Sequence, residues 1–135
     1  MTLPTDMIAQ ARAALAHAYC PYSHYAVAAC IRAEDGTLFV ATNVENAAYN
    51  LCSCAETNAI THLVSTGRRK ITACVVVARD QQPATPCGAC RQRLNEFASP
   101  DLPVFCLGSG DAIQQYTLAQ LLPAAFGPEN LEKPA

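Results

Sequence analysis

The chain has 135 residues, 51% hydrophobic and 15% charged, with nine basic and eleven acidic side chains giving a formal net charge of -2. That length suits a single domain over residues 1–135, and the apolar share excludes a disordered or wholly solvated chain. The longest basic run is Arg68-Arg69-Lys70, which speaks against long nucleic acid as a partner, and no apolar run approaches a membrane span. Asp6 and Arg12 interrupt the apolar stretch near the N-terminus, so it reads poorly as a secretory signal and the expected location is the cytoplasm.

Residues 7–19 carry Ile8, Ala11, Leu15 and Ala18 at helical spacing, and Pro21 stops the run. Residues 25–33 and 38–42 are β-prone, and Glu34-Asp35-Gly36-Thr37 supplies a hairpin turn between them. The first of these strands is apolar on both faces, as expected of a strand covered on both sides. Residues 54–66 have helix-forming composition and end at Gly67, a usual left-handed C-terminal residue. Residues 71–78 predict a buried strand, 79–86 a Pro-bearing loop, 87–97 a helix and 103–107 a short strand. Beyond Gly108-Ser109-Gly110 a weak strand covers 113–116, Thr117 can cap a short helix through Leu122, and the last nine residues look irregular. The order α-β-β-α-β-α-β-β-α implies an α/β fold, a three-layer α/β/α sandwich around a mixed five-stranded sheet.

Eight cysteines, at 20, 30, 52, 54, 74, 87, 90 and 106, are the compositional anomaly. Disulfide frameworks belong to small secreted domains with thin cores, so metal binding or burial is the expected use here, and Cys30, Cys74 and Cys106 fall in predicted strands as core. Cys54-Ala55-Glu56 and Cys87-Gly88-Ala89-Cys90 stand apart. Cys87 and Cys90 share one face if helical, whereas Cys54 must sit at a helix start for Glu56 to belong to the same group. Helix N-termini favour thiolates, the form that binds metal. Three sulfur ligands with an open fourth position fit a catalytic zinc, beside which Glu56 can act as general acid and base. Open alternatives are a redox CxxC pair, inert buried thiols, a closed zinc site completed by Cys52 or His62, and an ordinary helix-start carboxylate for Glu56.

Along nearly its whole length the chain resembles the small cytidine deaminases. The resemblance is carried by Tyr22-Ser23-His24-Tyr25, Asn43-Val44-Glu45-Asn46-Ala47-Ala48-Tyr49, Cys54-Ala55-Glu56, Pro86-Cys87-Gly88-Ala89-Cys90-Arg91-Gln92, and Leu121-Leu122-Pro123 with Phe126-Gly127-Pro128. It implies zinc on Cys54, Cys87 and Cys90, Glu56 as proton shuttle, and hydrolytic loss of ammonia from C4 of free cytidine or deoxycytidine, a step of pyrimidine salvage. It also implies that Asn43 and Glu45 bind ribose hydroxyls, that Tyr25 packs on the pyrimidine, and that Ala55 lies against the substrate. In the family's homotetramer, Tyr49, Gln92 and Phe126 would act at a neighbouring subunit's site. Read without the family, Asn43 and Glu45 are turn residues, Tyr25 is core and Phe126 anchors its own chain.

Thr57 departs from the pattern, since the family usually places an arginine after the glutamate, donating to the zinc-bound sulfurs. Zinc and three thiolates sum to about -1, which opposes ionisation of a bound water, and a hydroxyl donates only a neutral hydrogen bond. Either another cation approaches the sulfurs, with Arg91 the nearest in sequence, or turnover is slower. Ala26, Ala28 and Asn50-Leu51-Cys52-Ser53 also depart, and are expected to line the approach and adjust the pocket. The alternatives are therefore a deaminase of an N4-substituted or blasticidin-like nucleoside, or a catalytically weakened zinc-binding homologue. An editor of polynucleotides would need a basic groove or stacking aromatics, and the chain has no Trp.

Overall fold

A computed structural model describes residues 2–131. Strands form where small and β-branched apolar residues run together: β1 (Val27–Ala33), β2 (Leu38–Thr42), β3 (Ile71–Ala78), β4 (Pro103–Leu107) and β5 (Ile113–Thr117). They make one sheet in the order β2-β1-β3-β4-β5, parallel only between β3 and β4. β3 lies at the centre because both its faces are apolar. Cys74 and Val76 face the side covered by α2 (Ala55–Ser65), α3 (Gly88–Phe97) and α4 (Leu118–Leu121), where Ala59, Leu63, Leu94 and Leu118 pack on them. Ala73, Val75 and Val77 face α1 (Thr5–Ala14), meeting Met7 and Ala11. The three-layer arrangement expected from the element order is therefore present, and Cys30, Cys74 and Cys106 are fully buried within it.

α1 is the element that differs from its sequence reading. It begins at Thr5, tightens into a 3-10 turn over Leu15–His17, and is over before residue 19. Pro21 is the stop signal in the sequence, but the helix gives way before it, to a bridge in which Tyr19 donates to Asn43 O at 3.1 Å and accepts from Glu45 N–H at 2.8 Å. Thr117 caps α4 as expected, within a capping box shared with Gln120. Of the last nine residues, 128–130 form a 3-10 turn and the final four lie outside the described residues. No helix among the described residues is long and apolar enough to cross a membrane.

Two anchors hold loops at the ends of the sheet in place. The loop after β3 is pressed against the turn after β4, where a Cβ on Gly108 would come 2.4 Å from the Asp80 and Gln81 carbonyl oxygens. Arg12 of α1 fixes that turn by donating to Gly108 O at 3.1 Å. At the opposite edge, Gly36 takes φ +89° in the β1–β2 hairpin, and Asp35 there accepts from Thr37 N–H at 3.1 Å. Arg68, following the left-handed Gly67 that ends α2, donates to Asp35 Oδ2 at 3.0 Å and lies 5.3 Å from the Phe39 ring centroid.

The Arg68 guanidinium, with the Thr37 amide, holds the Asp35 carboxyl down to about 2. A folded-state value below the unfolded one of about 3.9 means that the contribution is complete above the unfolded value and is lost as pH falls toward the folded one. Comparing urea midpoints of the parent and Asp35→Asn from pH 5 to pH 2, we expect the parent's advantage to shrink steadily below about pH 4. An advantage that is independent of pH would contradict this account.

Candidate active site

Both sulfur motifs open a helix. Cys54 is the N-cap of α2, with φ -75° and ψ 155°, and Cys87 is the N-cap of α3, with φ -67° and ψ 168°. Cys90 is then the third residue of α3, and the N-cap and third side chains of a helix face one another as they do in a capping box. The same offset in α2 relates Cys54 to Thr57, whose Oγ1 lies 3.5 Å from Cys90 Sγ. The three Sγ atoms lie within 4.8 Å of one another, and those of Cys54 and Cys87 are 3.8 Å apart. Tetrahedral zinc with Zn–S bonds of about 2.3 Å separates its sulfurs by about 3.8 Å, so the donor set and its spacing fit zinc.

A hydrogen bond from Cys90 holds the Cys54 thiol below its ordinary range, and the same contact, reinforced by burial, pushes Cys90 up. Thr57 works in the opposite sense on Cys90, favouring its ionised form. Cys52 and His62 do not join the group: Cys52 Sγ accepts from Asn46 N–H at 3.3 Å, and the His62 ring packs edge-on to Phe39 at 5.0 Å. Among the described residues the metal-holding group has three members, all free thiols.

Glu56 lies two residues after Cys54, as the second residue of α2, and is 4% exposed. Burial raises its pKa, so its carboxyl holds a proton more readily than an exposed glutamate. It lines a cavity of about 220 Å³ together with Cys54, Cys87, Ala55, Tyr25, Asn43, Val27, Val76, Ala84 and Thr85. Drug-sized ligands occupy about 300–1,000 Å³, so this space suits a single small ring with attached groups outside it. The cavity sits at the C-terminal end of β3, where the helices after β2 and β3 both begin, the usual place for a ligand in an open α/β sheet.

Asn43 and Glu45 are already engaged with backbone. Asn43 Nδ2 donates to Tyr25 O at 2.8 Å and its Oδ1 accepts from Val27 N–H at 3.0 Å, so the side chain fixes the two residues that wall the cavity. Glu45 lies outside the lining and accepts from the Tyr22 and Ser23 amides at 3.0 and 3.1 Å and from the Ser23 hydroxyl. Those bonds, the hydroxyl's first, lower its pKa. Tyr49 and Phe126 are 72% and 58% exposed and do not line this chain's cavity; Gln92 Nε2 donates to Phe126 O at 2.8 Å.

Two expectations from the sequence are corrected. Arg91 does not approach the sulfurs: its guanidinium donates to Pro86 O at 2.7 Å, Leu121 O at 2.7 Å and Thr85 Oγ1 at 2.8 Å. One step along α3 from Cys90 turns its side chain about 100° away from the metal face. Ala28 does not line the approach, being wholly buried against α1; Ala26 and residues 50–53 lie outside the lining of the cavity itself. Val27, Val76, Ala84 and Thr85 are lining residues that sequence reading missed. For Thr85 the only signal is its place two residues before Cys87.

Residues 1–106 match the family described as the cytidine and deoxycytidylate deaminase zinc-binding region. A cytidine deaminase of Sporosarcina psychrophila is 43% identical over 125 residues, spanning 93% of this chain and 92% of the relative. The crystal structure of cytidine deaminase from Burkholderia pseudomallei superposes with a TM-score of 0.87 at 38% identity, covering 93% of this chain and 100% of the other. That of cytidine deaminase from Mycobacterium tuberculosis gives 0.80 at 35% identity, over 93% and 99%.

The triple anchorage of Arg91 has a measurable consequence. Arg91→Met should lower stability by about 2–4 kcal/mol, because it leaves two carbonyls and a hydroxyl without their charged donor. It should also loosen the approach to Cys87, so that a chelator strips zinc from the folded variant faster than from the parent. Unchanged chelation kinetics would confine Arg91 to a purely stabilising role.

Proposed function

The chain belongs to the zinc-binding cytidine and deoxycytidylate deaminase family, and from that membership we propose that it hydrolyses the C4 amino group of free cytidine and deoxycytidine, giving uridine or deoxyuridine and ammonia. The observation that carries this reading is a buried carboxyl, Glu56, set beside three sulfurs spaced for zinc in a cavity of about 220 Å³ that can admit a pyrimidine ring. Zinc held by Cys54, Cys87 and Cys90 supplies a Lewis acid that brings the pKa of a water ligand toward neutrality. Glu56 takes one proton of the attacking water on an oxygen shielded from solvent and passes it to ring N3, where it stays, then takes the proton left on the C4 hydroxyl and passes it to the departing nitrogen, so that C4=O, N3–H and ammonia account for both protons of the water. Its raised pKa suits a group that must both accept and return a proton.

Tyr25, Val27 and Val76 form the apolar walls for the base, and Ala55 lies beside them in the same lining. The ribose then stays at the rim. Asn43 and Glu45 bind its hydroxyls there with the acceptor capacity left over from their backbone contacts, and those contacts keep them in place before substrate arrives. Supporting a homotetramer, Tyr49 and Phe126 present large apolar surface that the chain's own cavity does not use. A groove of about 530 Å³ between the outward faces of α2 and α3, lined by Ile60, Val64 and Phe97, offers a surface for a second copy. In that assembly Tyr49, Gln92 and Phe126 serve a neighbour's site. Eight free thiols suit a reducing compartment, the cytoplasm.

The test is loss of cytidine absorbance with the purified zinc-loaded protein, run beside deoxycytidine, cytosine and N4-methylcytidine. Cytidine and deoxycytidine should turn over and cytosine should not. Glu56→Ala should keep about one zinc per chain while turnover falls by roughly 10²–10⁴-fold. A parent protein inert on every substrate would overturn the assignment of activity.

A further inference from the structure

Arg79 is the first residue beyond β3 and continues its pairing, donating its backbone N–H to Ala26 O at 2.9 Å. Its side chain folds back over the neighbouring turn. One guanidinium nitrogen donates to the His24 carbonyl, the guanidinium carbon lies 5.9 Å from the centroid of the Tyr25 ring, and Nε donates to Asp80 Oδ1 at 3.0 Å. His24 has φ +56°, a left-handed conformation that non-glycine residues keep only where the surroundings over-determine it. Here the His24 amide donates to Cys20 O at 2.9 Å on one side, and Arg79 holds its carbonyl on the other.

That turn decides where Tyr25 points. Glu45 secures Tyr22 and Ser23, the Ser23 hydroxyl accepts from the Tyr25 amide at 3.0 Å, and Asn43 holds the Tyr25 carbonyl. Each of these contacts fixes backbone; among the described residues, Arg79 is the charged group placed over the ring itself. Arg79 is outside the cavity lining, whereas Tyr25 is within it beside Glu56.

We propose that Arg79 is a positioning residue for the base: by pinning the His24 carbonyl and lying over the Tyr25 ring, it sets the aromatic wall against which the pyrimidine packs. This rests on the reading of Tyr25 as a base contact. The competing role is a tie, through Asp80, on the loop that carries Ala84 and Thr85. Such a tie would act on the cavity whether or not residue 25 is aromatic.

The two roles separate in a double-mutant cycle on the zinc-loaded protein with cytidine as substrate. Arg79→Ala should raise KM about fivefold with kcat within about twofold, the size expected from the loss of one exposed cation–π contact over the ring. Arg79→Lys should recover part of the loss, since an ammonium keeps the charge but not the planar fork. In a Tyr25→Leu background the Arg79→Ala effect should fall below about twofold, at unchanged zinc content. An equal rise in both backgrounds, or no rise in the parent, overturns the positioning role. A Tyr25→Leu enzyme with parental KM removes the base contact itself and the proposal with it, and that failure is visible without Arg79.

Discussion

Everything at this site depends on two helices beginning at one point. The first turn of a helix leaves its N–H groups unpaired and carries partial positive charge, so two helix starts directed at the same space form an electropositive focus. Cys54 and Cys87 occupy the two N-cap positions, and neither uses its side chain to cap its helix. Their sulfurs are left to meet each other and Cys90. The sheet makes this convergence unavoidable: α2 packs on β1 and β2, α3 follows β3, and the parallel β3–β4 pair requires the crossover to place the α3 start at the C-terminal end of β3. The buried carboxyl of Glu56 follows from the same constraint. It lies two residues beyond an N-cap that must face the sulfurs, so it enters the cavity rather than solvent.

Around this focus the polar residues act mainly as clamps on backbone. Asn43 spans Tyr25 and Val27, Glu45 holds the turn before them, and Arg91 fixes Thr85 and Pro86 ahead of Cys87. Asn58 ties α2 to the end of β2 through the Thr42 carbonyl, at 2.8 Å. A carboxylate already bonded to two amides and a hydroxyl has little side-chain freedom left to lose, which is the physical basis of pre-organisation.

The sequence made the fold legible wherever an element announces itself locally. Helical spacing, hairpin chemistry and two-faced apolar strands located the five strands and the sulfur-bearing helices to within a residue or two. It misled where the deciding contact is distant. The end of α1 is set by a bridge to residues 43–45, which no signal near residue 15 encodes. The direction of Arg91 depends on carbonyls at Pro86 and Leu121, and nearness in sequence to Cys90 carried the wrong implication. Ala28 was open to a better reading: side chains alternate along a strand, so the residue after the cavity-lining Val27 must turn toward the opposite face. The clamp formed by Arg79 leaves no trace in any local pattern, because His24 lies across the sheet.

Thr57 shows how the same constraint can satisfy a site in a different chemical way. Three thiolates around one divalent cation carry excess negative charge, and a neutral hydroxyl is a weaker compensator than an arginine. Its position is nonetheless fixed by helix geometry, as the third residue after an N-cap, which brings Oγ1 to 3.5 Å from the most buried of the three sulfurs. Burial amplifies that single contact, since a hydrogen bond in a low-dielectric interior is electrostatically stronger than one in water. The two helix N-termini add partial positive charge beside Cys54 and Cys87, their N-cap residues, at no cost in side-chain ordering. That contribution exists only while α2 and α3 keep their common starting point.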